Sequence, residues 1–210
     1  HALHASMPDT LSNYVGRSIP YAADHTARLY YYHNVFPPKP GESWHGSLSL
    51  PKLLRAAPNG RLALDYAESP LDAMFVPLAD VAAPLDAGTT LNVIAQDVTD
   101  GMFEATVTAP YSGICFRTGR LREGNIEGLA VWLAPMQQGS DRWYVILGSV
   151  HFADGPFGMR PALGIPTALH ALNRELGRHD LPDRLQAHLR VICRGPFIDI
   201  YVDDVLYLSH

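Results

Sequence analysis

Cysteine is scarce in this chain: Cys115 and Cys193 are the only two in 210 residues. Neither stands in a Cys-x-x-Cys pair or at Cys/His zinc spacing, so no structural zinc is expected. Each lies inside an apolar, strand-like run. One reading is two buried free thiols packing as small hydrophobes. The other is a disulfide between neighbouring strands, which needs a distance that spacing does not supply. The redox compartment stays open. Long apolar runs are missing too. None approaches the roughly 20 residues that span a bilayer, so no membrane partner is expected. Basic charge is not in excess: the formal net charge is −5 and the pI is near 6.0. That removes the electrostatic footprint of a nucleic-acid partner. No Gly-x-Ser-x-Gly elbow and no phosphate-cradling glycine loop occurs, and no cofactor is implied.

What is present points to strands. The apolar fraction of 47% is that of a folded globular chain. Seventeen prolines and seventeen glycines suit many turns between short strands better than a helical bundle. The tail is the clearest segment. Leu189 to Arg194, Phe197 to Val202 and Val205 to Leu208 are strand-like runs separated by Gly195-Pro196 and Asp203-Asp204. They read as an antiparallel meander. Ile198, Ile200 and Val202 alternate with Asp199, Tyr201 and Asp203, which predicts one apolar face and one wet face. Sheets of this kind pack into a sandwich. The fold class expected is all-β: an antiparallel, lectin-like β-sandwich preceded by strands of a partial propeller blade.

Further strands are expected at Tyr14 to Pro20, Arg28 to Val35, Trp44 to Leu50 and Arg61 to Leu64, the last after the Pro58-Asn59-Gly60 turn. Ala67 to Gly88 is rich in Ala, Pro and Asp without a sustained period. The expected division is 1–66, a partial blade with linker, and 67–210, the sandwich. Within the second part, strands are expected at Leu91 to Val98, Met102 to Ala109, Ser112 to Arg117, Ile126 to Ala134 and Arg142 to Phe152. Gln137 to Asp141 is a turn. Ala168 to Leu176 fits an amphipathic helix, or else a strand pair or loop. The chain starts at His1 and stops at Leu208-Ser209-His210 in what reads as a strand. A natural domain seldom ends in mid-sheet, so a fragment of a longer protein is expected.

Chemistry-bearing residues are scattered. Ten histidines are dispersed, and only His1 and His4 come near helical metal spacing; no metal site is expected. Asp203-Asp204 is explained as hairpin-turn chemistry. Paired carboxylates are glycosidase chemistry, and Glu104, Glu123, Glu127, Asp199 and Asp203 are candidates by type, four of them in or beside strands as exposed sheet-face residues. Aromatic residues are dense. Trp132, in an apolar strand, is a core candidate. Tyr14, Trp44, Trp143 and Tyr144 are the candidates for stacking on sugar rings.

One segment carries a resemblance. Trp44-His45-Gly46-Ser47-Leu48-Ser49-Leu50-Pro51-Lys52-Leu53-Leu54 is similar to the Trp-x-Gly-x-x-Ser-Leu-Pro-Arg-x-Leu segment of glycoside hydrolase family thirty-two, the invertases and fructan hydrolases. Lys52 stands where that family usually has Arg. The family segment closes a five-bladed β-propeller, and a C-terminal sandwich follows it. Phe103 to Val107, Gly113 to Arg117 and Ile198 to Asp203 come in the order of such a sandwich. The family's Asn-Asp-Pro nucleophile motif, Arg-Asp-Pro motif and Glu-Cys acid/base motif do not occur here, and Ser12 stands at a position that is acidic in the family.

The resemblance implies a non-catalytic C-terminal region of a fructosidase-like glycoside hydrolase. Its partner would be the N-terminal propeller domain of the parent chain. The first segment cannot close a propeller and would have to dock on the sandwich or on a partner. A different class of function is a carbohydrate-binding sandwich with an oligosaccharide as partner. A third is an independent glycosidase using an unrecognised carboxylate pair.

Overall fold

Runs of β-branched and aromatic residues, broken by Gly, Pro and Asp, form the strands of the computed structural model. It describes residues 13–21, 28–35, 46–57, 60, 62–76, 98–108, 110–120, 126–136, 142–153, 160–172, 186–195 and 197–209. In chain order the elements are β1 (Asn13–Pro20), β2 (Arg28–Val35), β3 (Gly46–Leu48), β4 (Lys52–Ala56), β5 (Leu62–Tyr66) and a helical turn, α1 (Glu68–Asp72). Then come β6 (Gly101–Val107), β7 (Gly113–Arg120), β8 (Ile126–Pro135), β9 (Trp143–Ala153), β10 (Arg160–Ala171), β11 (Ala187–Arg194), β12 (Phe197–Val202) and β13 (Val205–Ser209). Among the described residues no helix is long and apolar enough to cross a membrane.

The strands form two antiparallel sheets. The smaller is a meander in the order β10-β9-β8-β7. The larger runs β1-β2-β4-β5-β13-β12-β11-β6, with β3 also paired to β2. The chain is therefore an antiparallel β-sandwich. Its core lies between the sheets. The smaller sheet contributes Phe116, Val131, Leu133, Val145 and Leu147; the larger contributes Leu189, Val191, Cys193, Ile198, Ile200 and Val202. Of the open stretch Ala168 to Leu176, Ala168 to Ala171 are strand, since β10 pairs along β9 as far as Ala171↔Tyr144, and 173–176 lie outside the described residues. The expected strand at Leu91 to Val98 lies outside the described residues apart from Val98. So does the expected turn at Gln137 to Asp141.

The turns follow their residue chemistry. Asp203 and Asp204 have φ of 47° and 64°, between the partners Val202 and Val205. Two positive-φ residues in a two-residue hairpin make the twist of a primed turn, and Asp tolerates that conformation better than most residues. A bulge at Ile200/Tyr201 lets Tyr207 face the core together with Val205 and Leu208. At Pro51 the pairing partner of β2 changes from β3 to β4. Proline has no N–H to give to a ladder, so the break is expected there.

The wet face expected on β12 is not wet. Asp199 is 5% exposed and Tyr201 is fully buried. The alternation itself holds: Ile198, Ile200 and Val202 face the sandwich core, and Tyr201 faces the other way. That other side carries a second cluster. Ile192, Tyr201 and Leu206 of the tail meet Leu29, Leu50, Leu64, Tyr66, Ala67 and Leu71. Alternation reports which residues share a face. It does not report that a different part of the chain folds over that face. Here β2, β4, β5 and α1 do so.

The cover is the same sheet, coiled back on itself. Strands β4 and β12 are three places apart, about 14 Å in a flat sheet at the usual spacing. Side chains standing perpendicular to a flat sheet would not meet across that distance. Yet Lys52 Nζ of β4 lies 2.5 Å from Asp199 Oδ2 of β12. The joint is between β5 and β13, where one residue pair, Val205↔Asp65, is in register. The division expected after Tyr66 falls between β5 and α1, and strands on both sides of it share this sheet.

Both cysteines are free thiols, Cys193 in the sandwich core and Cys115 on the outer side of the smaller sheet. Burial pushes each up to about 11 from an ordinary 9.0. The unfolded chain then loses these protons first as pH rises. Their stabilising contribution is complete below the ordinary thiol range and declines from about pH 9 upward. Thermal melts should show stability falling between pH 9 and 10, and more shallowly when both cysteines are alanine. An equally steep fall in the double variant would mean that the thiols are not its source.

Candidate functional site at the seam of the coiled sheet

The seam is built by cross-strand rows on the second face of the tail. Met102, Ile192, Asp199 and Ser209 form one row; Glu104, Arg190, Tyr201 and Leu206 form the next. Against them β5 and β4 bring Tyr66 and Lys52, themselves direct partners.

The interior of the seam holds an ion pair. Lys52 is fully buried. Its ammonium donates to Asp199 Oδ2 at 2.5 Å and to the Leu50 carbonyl at 3.1 Å. Ser209 Oγ donates to Asp199 Oδ1 at 2.6 Å. Ser49 Oγ donates to the same Leu50 carbonyl at 3.1 Å. The interruption at Ser49-Leu50-Pro51 thus turns a backbone acceptor toward the lysine. A buried charge is tolerated when it is paired and hydrogen-bonded.

The rim holds a second cluster, centred on Arg190. Its Nε donates to Glu104 Oε1 at 2.6 Å and its Nη1 to Asp204 Oδ1 at 2.5 Å. Its guanidinium carbon lies 3.6 Å from the centroid of the Tyr66 ring. Burial works against the Arg190 charge, but the bond to Glu104 and the charges of Glu104 and Asp204 outweigh it and raise its pKa. Tyr66 OH donates to Asp72 Oδ1 at 2.5 Å and sits 3.2 Å from Met102 Sδ. Burial first, then that hydrogen bond, raise the Tyr66 pKa well above the ordinary tyrosine range. The Tyr66 ring meets Tyr201 edge-on at 5.6 Å. The His188 amide donates to Asp203 Oδ1 at 2.7 Å, and His188 Nε2 is 3.6 Å from Glu104 Oε1.

This is cross-linking chemistry. Retaining glycoside hydrolysis uses two carboxyl groups about 5 Å apart across the scissile bond, one of them an acid. Here Glu104 and Asp204 both accept from one guanidinium, Asp72 accepts from a phenol, and Asp199 accepts from a lysine and a serine. Among the described residues no group of three His, Cys, Asp or Glu side chains could hold a metal ion.

The residues singled out from sequence separate. Trp143 packs against the sandwich core. Tyr144, its neighbour in β9, points to the opposite face by strand alternation and is half-buried there beside Ala134. Tyr14 lies in β1 opposite His33. Trp44 lies outside the described residues, as does Glu123. Trp132, the core candidate, packs on the outer face of the smaller sheet against the small apolar cluster of Ala130, Val150 and Phe152. Of the other carboxylates, Glu127 is exposed, Asp203 is a turn residue, and Asp199 is not the exposed sheet-face residue expected but the buried partner of Lys52. Arg190 and Tyr66 were not legible as site residues. The available signal was the pair His188 and Arg190 alternating with apolar Leu189 and Val191.

Compared with known protein families, with curated proteins and with solved structures, the chain finds no match.

Proposed function

We propose that this chain is the non-catalytic C-terminal region of a fructosidase-like glycoside hydrolase, in which the sandwich stabilises a catalytic propeller. The observation that carries this reading is the environment of Ser49-Leu50-Pro51-Lys52, which lies within the Trp44 to Leu54 segment that resembles family thirty-two. That segment is buried, and its lysine grips Asp199 of the tail. Its role in this chain is to fasten the first strands to the sandwich, a structural task. The charged groups of the seam are engaged with one another, which suits an accessory layer rather than a reaction centre.

Two measurements test the proposal. Purified protein should release no sugar from sucrose, inulin or levan; turnover above a heat-killed control sinks the non-catalytic reading. The coding sequence upstream of residue 1 should encode an Asn-Asp-Pro-type motif within a few hundred codons, and its absence there sinks the parent-enzyme reading.

A carbohydrate-binding sandwich is the second reading. It is favoured by aromatic rings at one end of the smaller sheet. Tyr111 is 71% exposed, and its amide donates to the Leu133 carbonyl at 2.7 Å, next to Ala134, the partner of Tyr144. Titrating fructans or xylans while following tryptophan fluorescence separates the two readings. A saturable response at millimolar sugar favours binding, and a flat trace favours the purely structural role.

A further inference from the structure

We infer that β1 to β5 and α1 form a hinged flap that leaves the tail and unravels as one unit while the sandwich stays folded, with Lys52–Asp199 as its latch. This stands apart from any role in a hydrolase. Three observations carry it. First, the backbone connection between flap and tail is narrow. Strands β5 and β13 share one register pair, and Tyr66 N donates to Asp204 O at 2.7 Å beside it. Strands β4 and β5 share five pairs and β11 and β12 share six, so each side is laced far more firmly within itself. Second, the flap lends little to the sandwich core. Its members there are two small residues, Ala57 and Ala63, among eighteen described. Third, the flap's own large apolar residues have their burial at the seam. Leu29, Leu50, Leu64, Tyr66 and Leu71 are covered by Ile192, Tyr201 and Leu206. Separated from that face, a few strands with no other core do not persist. Loss of the seam therefore means loss of the flap's structure, not only of its position.

In the interior of the seam, Lys52 and Asp199 form the charged contact between the flap and β12. Parting them while the seam is still dry leaves two buried charges uncompensated, so the pair opposes partial opening. Regions that open below the global unfolding level are usually contiguous cooperative units of this kind.

Hydrogen exchange followed by mass spectrometry on the whole chain under native conditions tests the inference. In the wild type, amides of β2, β4 and β5 should share one level of protection, at least tenfold below that of β8 and β9. Equal protection in both groups overturns the flap. In Lys52→Met, protection of β2, β4 and β5 should drop at least a further tenfold, and β8 and β9, exposed only when the whole chain unfolds, should drop by no more than the same factor and keep their lead over the flap. No drop in the flap overturns the latch, and a drop that brings β8 and β9 down to the flap's level overturns the flap. If that variant does not fold, the wild-type comparison still decides whether the flap opens separately, and wild type at rising sodium chloride reads the latch. A buried pair is poorly screened, so flap protection should stay constant, and loss of protection confined to the flap overturns the latch.

Discussion

Lys52→Met is expected to destabilise the chain by about 3–5 kcal/mol, the usual consequence of removing one partner from a buried ion pair. Methionine matches the lysine stem in length, so the seam stays filled and the loss is electrostatic. Asp199 keeps the hydroxyl of Ser209 but loses its cation in a place where it is 5% exposed. Asp199→Val should be comparably harmful, because the ammonium is then left in the same dry seam. The double variant, Lys52→Met with Asp199→Val, should recover most of the loss, since two apolar side chains ask for no compensation there. Urea unfolding of wild type, both single variants and the double variant closes the cycle. A loss under about 1 kcal/mol for Lys52→Met would be the behaviour of an exposed pair and would contradict the coiled arrangement of the sheet.

Much of the architecture could be read from side-chain alternation and turn residues. The three tail strands, the hairpin aspartates and the strands β6 to β9 all rest on local signals, and local chemistry decides them. The even-odd pattern of β12 was legible to the residue. What covers each of its faces was not. A strand with Asp and Tyr at alternate positions looks wet from its own sequence, and becomes dry only because residues more than a hundred positions earlier coil over it. Lys52 and Asp199 are 147 residues apart, and no periodicity links them. The same holds at the rim, where Arg190 owes its environment to Glu104 on one neighbouring strand and to Asp204 in the hairpin turn. The aromatic pair Trp143 and Tyr144 shows the opposite limit. Adjacent residues of a strand face opposite ways, so the two rings cannot form one platform once β9 is a regular strand.

These contacts have a common logic. A sheet of this length cannot stay flat, because strand twist accumulates. Coiling brings its first strands over its own tail, and the residues that meet there must be either apolar or paired. Tyr66 satisfies both conditions at once. Its ring packs on Tyr201 and under Arg190, and its hydroxyl reaches Asp72 in α1. One side chain thus ties the joint strand to the tail and to the helical turn that closes the seam.

The sharpest test of that second buried face is Tyr201→Ala, expected to cost about 3–5 kcal/mol, in the range of large aromatic truncations in cores. On a sheet with one wet face, Tyr201 would be a surface residue, and its truncation would change stability by no more than about 0.5 kcal/mol. Ile200→Ala, one position away on the sandwich face, should cost about 2–5 kcal/mol under either arrangement. The pair therefore separates the two geometries: only a tail buried on both faces makes neighbouring positions both expensive. Tyr201→Phe keeps the edge-on contact with Tyr66 and should retain most of the stability, which isolates the ring from the hydroxyl. Chemical denaturation of the three variants reads all of this from midpoints at constant slope. Near-wild-type stability for Tyr201→Ala beside a strongly destabilised Ile200→Ala would mean that β2, β4 and α1 do not cover the tail in solution.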